Sequence, residues 1–473
     1  MNQDTICALA TGNAVAALGI IRISGRDAIA IANKVFSGKN LEEAASHTVH
    51  YGFLLEGQKH FDEGQKPTDK GLQAIDEVLI SIFRAPKTFT AEDVVEISFH
   101  GSPFIAKRIL EVLVENGARL AKPGEFTMRA FLNGRIDLAQ AESVADLIAS
   151  ENEASRKMAL NQLKGGISQE ISDLRNDLLN FTSLIELELD FAEEDVEFAD
   201  RTALLSLLNR IKGRLHELLE SFRYGNAVKN GISVAIIGKP NAGKSTLLNA
   251  LLKEERAIVS DIAGTTRDTI EEILHLNGTA FRFIDTAGIR ETTDTIEEIG
   301  VKKAREKIET ADILLYLFDE SDYTAAEVVD FIRGIQRKDL QIILLQNKTD
   351  LADNSSFSAE ITKALVPDFA KKLIKISAKN QTNIDELKSE LSTFVDNLKT
   401  ETSTVITNQR HYEALQKSLQ SIENVEAAVQ SNITTELLAY ELRNALEALG
   451  EISGEFTNDE VLGNIFSKFC IGK

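Results

Sequence analysis

Gly238-Lys239-Pro240-Asn241-Ala242-Gly243-Lys244-Ser245 stands between an apolar β-like run at residues 233–237 and a helix-like apolar stretch at 247–252. A strand that enters a helix through such a glycine-rich turn is the setting of a phosphate-binding P-loop. Glycine tolerates the backbone angles that aim several N–H groups at one point, and the start of the following helix adds partial positive charge. Asn241, Ala242, Gly243, Lys244, Ser245 and Thr246 are therefore candidate nucleotide contacts. Lys244 is placed to reach the β- and γ-phosphates, and the Ser245 hydroxyl to face Mg²⁺.

The sequence on either side supplies the partners such a loop needs. Asp285-Thr286-Ala287-Gly288 follows a β-like run at 280–284, where Asp285 can act on Mg²⁺ through water and the Gly288 amide can face the γ-phosphate. Thr265 and Thr266 lie between those motifs, in Ala263-Gly264-Thr265-Thr266-Arg267-Asp268. A threonine there, Thr266 for Mg²⁺, can close over the metal when the γ-phosphate is present. Asn347-Lys348-Thr349-Asp350 follows another strand-like run. A carboxylate such as Asp350 can accept from guanine N1–H and the 2-amino group, which adenine lacks, so the motif selects GTP. Ser377-Ala378-Lys379 follows the last run and can support the guanine O6 through a backbone amide. In order, these motifs predict a Ras-like α/β domain that binds and hydrolyses GTP.

One expected group is missing. Small GTPases place a water-orienting Gln directly after Asp-x-x-Gly. Here the position is Ile289, whose apolar side chain cannot orient water. Glu291, Glu297 and Glu298 follow within residues 290–300, and their chemistry alone does not choose among them or exclude a solvated acidic loop.

Strand-like runs at 233–237, 280–284, 313–318, 341–345 and 373–376 alternate with helical patterns, which predicts a mostly parallel sheet. On both sides lie helical stripes. Ile171, Leu174, Leu178 and Phe181 form one, Leu204, Leu208, Ile211, Leu215 and Leu218 another, and Leu415, Leu419, Ile422 and Val425 a third. Such stripes read as bundle core. The first 132 residues mix β-like runs at 19–23 and 77–82 with a helix at 104–116 and a polar loop at 54–74. The expected organisation is an N-terminal α+β domain at 1–133, helices at 134–230, an inserted P-loop α/β domain at 231–394, and further helices at 395–473. The two helical blocks are expected to form one domain, since the termini of an inserted domain often lie close together.

Composition limits the function classes. The chain has 473 residues, 43% of them hydrophobic and 26% charged, the balance of a globular protein of several domains. No apolar run is long enough to span a bilayer, and the N-terminus lacks a basic region followed by an apolar stretch. Cys7 and Cys470 cannot build a disulfide framework, so a reducing cytoplasm is the simplest expectation. The net charge of −21 repels phosphate backbones, so contact with a nucleic acid needs a local basic patch or a partner.

Further stretches lie outside the nucleotide motifs: the terminal Phe469-Cys470-Ile471-Gly472-Lys473, Gly450-Glu451-Ile452-Ser453-Gly454-Glu455-Phe456-Thr457, Pro123-Gly124-Glu125-Phe126-Thr127, Arg129-Ala130-Phe131-Leu132-Asn133-Gly134 and Asp137-Leu138-Ala139-Gln140-Ala141-Glu142. In these stretches the chain resembles the MnmE (TrmE) family of tRNA-modification GTPases. The resemblance implies an N-terminal folate-binding and dimerisation domain, a helical bundle domain and an inserted G domain. It also implies a homodimer and a heterotetramer with an MnmG-type FAD-binding partner. Such a complex adds an aminomethyl-type (carboxymethylaminomethyl) group to C5 of the tRNA wobble uridine, with a one-carbon unit from a methylene- or formyl-tetrahydrofolate. The acidic charge fits a complex in which the partner contributes much of the tRNA surface.

The resemblance also implies site residues. Hydrolysis depends on K⁺, held by Asn241, Ser260, Ile262 and Thr265, within a nucleotide-contacting segment Ser260, Asp261, Ile262, Ala263, Gly264, Thr265 and Thr266. Glu297 matches the family's catalytic glutamate, which orients water. Arg22, Glu96, Arg135 and Lys473 match positions lining the pterin site. Cys470 is either a nucleophile whose pKa Lys473 lowers or a buried small residue with a structural or binding role. Two departures stand out: residues 10–14 lack the family's Pro-Pro-Gly run, and Ala91 replaces a common glycine before Glu92. The competing reading is an RNA-binding or ribosome-assembly switch GTPase of the Era or Der type, which shares the G-domain motifs. A third reading is a stand-alone folate enzyme with a regulatory GTPase.

Overall fold

The computed structural model describes residues 4–56, 73–190, 200–252, 272–284, 308–335, 337, 340–351, 355–365, 372–399, 404–431, 434–457, 459–469 and 472. The chain falls into two compact units: residues 1–149, 159–211 and 417–473 in one, and 150–158 and 212–416 in the other.

The first unit is built on β1 (Ile6–Leu9), β2 (Leu18–Ser24), α1 (Ala28–Val35), β3 (Phe36–Ser37), β4 (Thr48–Leu55), β5 (Ala74–Phe83), β6 (Val94–His100), α2 (Pro103–Glu115), β7 (Arg119–Leu120) and α3 (Glu125–Leu132). The strands form one sheet in the order β3-β4-β5-β6-β2-β1-β7. All pairs are antiparallel except β1 with β7. Side chains alternate between the two faces of a strand. Ile21, Ile23, Ile80, Ile82, Val95 and Ile97 therefore share one face and are buried with α1 and α2. The other face carries Arg22 opposite Glu96, and Leu79 opposite Tyr51. The expected strands and the helix near 104–116 are present; residues 54–55 and 74, expected as loop, extend β4 and β5.

Helices α4 (Leu138–Ile148), α5 (Glu153–Leu163), α6 (Gly166–Asp190) and α7 (Arg201–Asn230) follow. Asp137 starts α4 through a capping box with Gln140. The stripe at Ile171, Leu174 and Leu178 is buried, as are all five residues from Leu204 to Leu218. Within the first unit α6 packs against the later helix α13 (Thr435–Ser453), so the helical blocks on either side of the inserted segment meet. The unit boundary cuts α7 and also α12 (Gln409–Gln430), because each continuous helix contributes residues to both units.

The second unit contains β8 (Ile232–Ile237), α8 (Lys244–Leu252), β9 (Glu272–Leu276), β10 (Thr279–Phe283), β11 (Ile313–Phe318), α9 (Ala325–Gly334), β12 (Gln341–Gln346), α10 (Ser355–Leu365), β13 (Lys372–Lys375) and α11 (Ile384–Leu398). Its sheet runs β13-β12-β11-β8-β10-β9 and is parallel except for the β9–β10 hairpin. Asn277 and Gly278 turn that hairpin with φ of 49° and 80°, as a two-residue turn between twisted strands requires. Val234, Ile236, Leu315 and Leu317 pack on α8 and α11, and Tyr316, Phe318, Ile342 and Leu344 on α9 and α10. A sheet covered on both faces needs the near-continuous apolar strands seen in the sequence. From β8 the chain goes to the β9–β10 hairpin on one side, and from β11 to β12 on the other, so the loops after β8 and β11 flank a switch point.

Candidate functional site

The loops leaving β8, β11, β12 and β13 meet at the carboxyl edge of the parallel sheet. In the P-loop, Asn241 and Gly243 have φ of 63° and 100°. A Cβ on Gly243 would stand 2.4 Å from Asn347 Nδ2, so backbone and neighbour both require glycine. Lys244 opens α8, and its Nζ donates to the carbonyls of Gly238 at 2.8 Å and Lys239 at 2.9 Å. Ser245 and Thr246 follow on the first turn of the same helix.

Asn347 ties three loops together. It is 5% exposed; its Nδ2 donates to the Ala242 carbonyl at 2.8 Å, and its Oδ1 accepts from the Ala378 amide at 3.0 Å. Asp350 is exposed on the same loop, and Ser377 Oγ donates to its Oδ1 at 2.6 Å. That bond holds the Asp350 carboxyl below the usual carboxylate range, and Lys379 adds to the effect. An ionised carboxylate only accepts, which suits a base edge made of N–H donors.

Lys348 has φ of 62° and places Nζ 2.7 Å from Asp319 Oδ2. Asp319 is buried immediately after β11. Burial pushes its carboxyl up, but Lys348 and the Ser321 donors outweigh this and hold it low. The motif reading passed over Asp319. Its signal was available: a carboxylate directly after an apolar strand, the same position that Asp285 holds after 280–284.

The structure thus brings together Asn241, Ala242, Gly243, Lys244, Ser245, Thr246, Asn347, Lys348, Asp350, Ser377, Ala378 and Lys379. Ser260, Asp261, Ile262, Ala263, Gly264, Thr265, Thr266, Asp285, Thr286, Ala287, Gly288 and Glu297 lie outside the described residues, as do Cys470 and Lys473. Among the described residues no group of three or more His, Cys, Asp or Glu side chains could hold a metal. Among the described residues the phosphate end carries the Ser245 and Thr246 hydroxyls and the Asn241 amide oxygen, hard donors of the kind that suit Mg²⁺ and K⁺.

A second cluster lies on the open face of the first unit. Arg22 Nε and Nη2 donate to Glu96 Oε1 at 2.9 and 2.7 Å. The Arg22 guanidinium lies 5.5 Å from the Phe89 ring centroid and that of Arg135 5.7 Å from the same ring. Arg22 Nη1 reaches the Gly472 carbonyl at 3.5 Å. Gly472 is buried with φ of 93°, and a Cβ there would stand 2.3 Å from the Leu9 carbonyl oxygen. The loop carrying Phe89 is anchored by Asn133 Nδ2 to the Thr90 carbonyl at 2.7 Å and by Ser24 Oγ to Glu92 at 2.8 Å. Arg129, 8% exposed, bonds Glu92, Asp4 and Glu125. Ala91 has φ of 59°, a conformation that glycine adopts without strain.

Comparison with known proteins covers the whole chain. The family models "GTP-binding protein TrmE N-terminus" and "MnmE helical domain" match residues 5–135 and 138–470. The tRNA modification GTPase MnmE of Flavobacterium johnsoniae is 50% identical over 481 residues, covering all of both chains. That of Bacteroides thetaiotaomicron is 47% identical over 483 residues, again covering all of both. The FeoB G domain from Methanococcus jannaschii is 25% identical over 35% of this chain and 97% of that one, with a TM-score of 0.25. An RNA-binding switch GTPase, sharing only G-domain motifs, does not account for a match that runs through both flanking regions. The chain belongs to the MnmE (TrmE) family and is a GTP hydrolase acting in tRNA modification.

Proposed function

We propose that this GTP hydrolase, acting in the cytoplasm with an MnmG-type flavoprotein partner, takes part in adding a carboxymethylaminomethyl-type group to C5 of the wobble uridine of certain tRNAs. The observation that carries the reading is the full-length identity to tRNA modification GTPases. The reading divides the labour among four segments: 1–133 for folate and dimerisation, 231–394 for GTP, and 134–230 with 395–473 as the helical domain.

In the GTP site Lys244 neutralises phosphate charge, Ser245 and Thr266 would hold Mg²⁺, and Asp350 reads the base while Asn347 keeps its loop in place. Asn241, Ser260, Ile262 and Thr265 would hold K⁺, a cation that stabilises charge developing between the β- and γ-phosphates. Glu297 positions the attacking water. On the open face, Arg22, Glu96 and Arg135, with the terminal Lys473, would bind a tetrahydrofolate derivative, which supplies the one-carbon unit. The charged and aromatic donor set around Phe89 suits a flat heterocycle with an N–H edge. The exposed Val49, Tyr51, Phe53 and Leu79 on the same sheet support pairing of two copies.

The test is nucleoside mass spectrometry of tRNA from a strain lacking this protein, with and without its return. Loss and restoration of the C5-substituted wobble uridine is expected; unchanged modification would overturn the tRNA role assigned here. In matched KCl and NaCl, GTP turnover should differ; equal rates would remove the potassium site.

A further inference from the structure

The turn between β11 and α9 lies outside every recognised nucleotide motif, yet it touches two of the site's loops. At one end, Asp319 accepts from the amides of Ser321 at 3.0 Å and Asp322 at 3.1 Å, which closes the turn on itself, and its other oxygen holds Lys348 at 2.7 Å. At the other end, the Tyr323 hydroxyl accepts the backbone N–H of Lys239, the second residue of the P-loop. The Lys239 side chain then folds over the same residue, with its ammonium 4.2 Å from the Tyr323 ring centroid. That ammonium donates to the Asp322 carbonyl at 2.8 Å and to Glu327 at 3.2 Å. Glu327 is itself fixed in the capping box of α9, accepting from Thr324 N at 2.8 Å. The Tyr323 ring is 7% exposed and stands edge-on to Tyr316 and Phe318, each at 6.2 Å.

We propose that the segment from Asp319 to Glu327 is a brace that holds the phosphate loop and the base loop at a fixed spacing, with Tyr323 as the positioning residue for the phosphate loop. Phosphate binding by backbone N–H groups demands a loop already in its bound shape, because ordering it on binding costs affinity. Strand β8 ends at Ile237. The loop therefore leaves its sheet just before Lys239, and the Tyr323 hydroxyl is the first tertiary anchor it meets. The aromatic packing makes that hydroxyl a fixed point, and the Asp319–Lys348 pair carries the same rigid turn to the base side. The inference rests on the assignment of this site to GTP.

The test is the release rate of a fluorescent GDP analogue from the full chain, with melting of the nucleotide-free protein in parallel. Tyr323→Phe keeps the ring and removes the hydroxyl that receives the Lys239 N–H and bonds the Tyr316 hydroxyl, so release should speed about 3- to 10-fold and nucleotide-free melting fall by about 2–4 °C, while the preference for GDP over IDP stays unchanged. Asp319→Asn should also speed release. In the double variant the combined effect should fall short of the product of the two, because both act through one rigid element. Wild-type release from Tyr323→Phe would overturn the positioning role, and multiplicative effects in the double variant would overturn the brace. GDP binding that survives Lys244→Ala would instead overturn the site assignment itself.

Discussion

Replacing Asn347 by alanine probes the tie between three loops. The Ala242, Ala378 and Asn347 residues are 0%, 3% and 5% exposed, so water has little access to the groups involved. The substitution leaves the Ala242 carbonyl and the Ala378 amide without the partners they now hold at 2.8 and 3.0 Å. An orphaned buried polar group costs about 1–3 kcal/mol, so two cost about 2–6 kcal/mol. Water entering the vacated carboxamide space recovers part of this, which leaves about 2–4 kcal/mol. In a unit of this size each kcal/mol moves the melting temperature about 2–4 °C, so the nucleotide-free protein should melt roughly 4–16 °C lower. GDP affinity should fall at least tenfold, about 1.4 kcal/mol, because the loops must be realigned on binding. Calorimetric melting without nucleotide and GDP titration read the two effects separately. A shift of less than about 2 °C, on the same scale, with unchanged GDP affinity would show that the carboxamide does not join the loops.

Asp350→Asn should weaken GTP and favour xanthosine nucleotides, since the amide can donate to a carbonyl where the acid accepted from an amine; competition binding with GDP and XDP decides it, and an unchanged preference for GDP would remove Asp350 from base recognition. Ala91 holds a left-handed conformation at φ 59°, which costs a side-chain-bearing residue about 1–2 kcal/mol. Ala91→Gly, discounted for glycine's greater unfolded entropy, should stabilise the chain by about 0.5–1 kcal/mol in a denaturant titration; a lower midpoint would count against the argument. Asp4 is held low by Arg119 first and by Arg129; Glu125 is pushed up by burial but held low overall by Arg119, Lys122 N–H and Arg129. Lowered carboxylates contribute stability that is complete above their unfolded pKa, about 4, and lost as pH falls through their native values. Acid unfolding of the first unit should therefore set in below about pH 4 and move to higher pH in Arg129→Met, measured by circular dichroism. Gly472→Ala should drive residue 472 off Leu9 and Ala10, read as faster amide exchange at residue 10, which now bonds the Ile20 carbonyl at 2.8 Å; unchanged exchange would mean the close approach is relieved elsewhere.

Much of the nucleotide site was legible because each of its motifs is one contiguous run whose own backbone or side chains do the chemistry. Gly238 to Ser245 forms its loop from local angles, and Asn347 to Asp350 is recognisable wherever it follows a strand. The sheet was legible for a related reason: strands buried on both faces must be apolar throughout, as at residues 313–318 and 341–346. The division into compact units has no such local signature, since its cuts at 211–212 and 416–417 fall inside the continuous helices α7 and α12.

Sequence alone carried the α/β class, the P-loop, the run at Asn347–Asp350 proposed to read the base, and the resemblance on which the proposed pterin residues rest. Only the tertiary structure decided that Asp319 holds Lys348, that Tyr323 receives the Lys239 amide, and that Arg22 meets both Glu96 and Gly472, the last 450 residues away in the chain. These contacts depend on strand register and chain crossing. A slip of one residue in the β2–β6 pairing would turn Arg22 into the apolar core and leave Glu96 unpaired on the open face. Local composition does not carry that information, because the free energy that sets the register is spread over the whole buried face of the sheet.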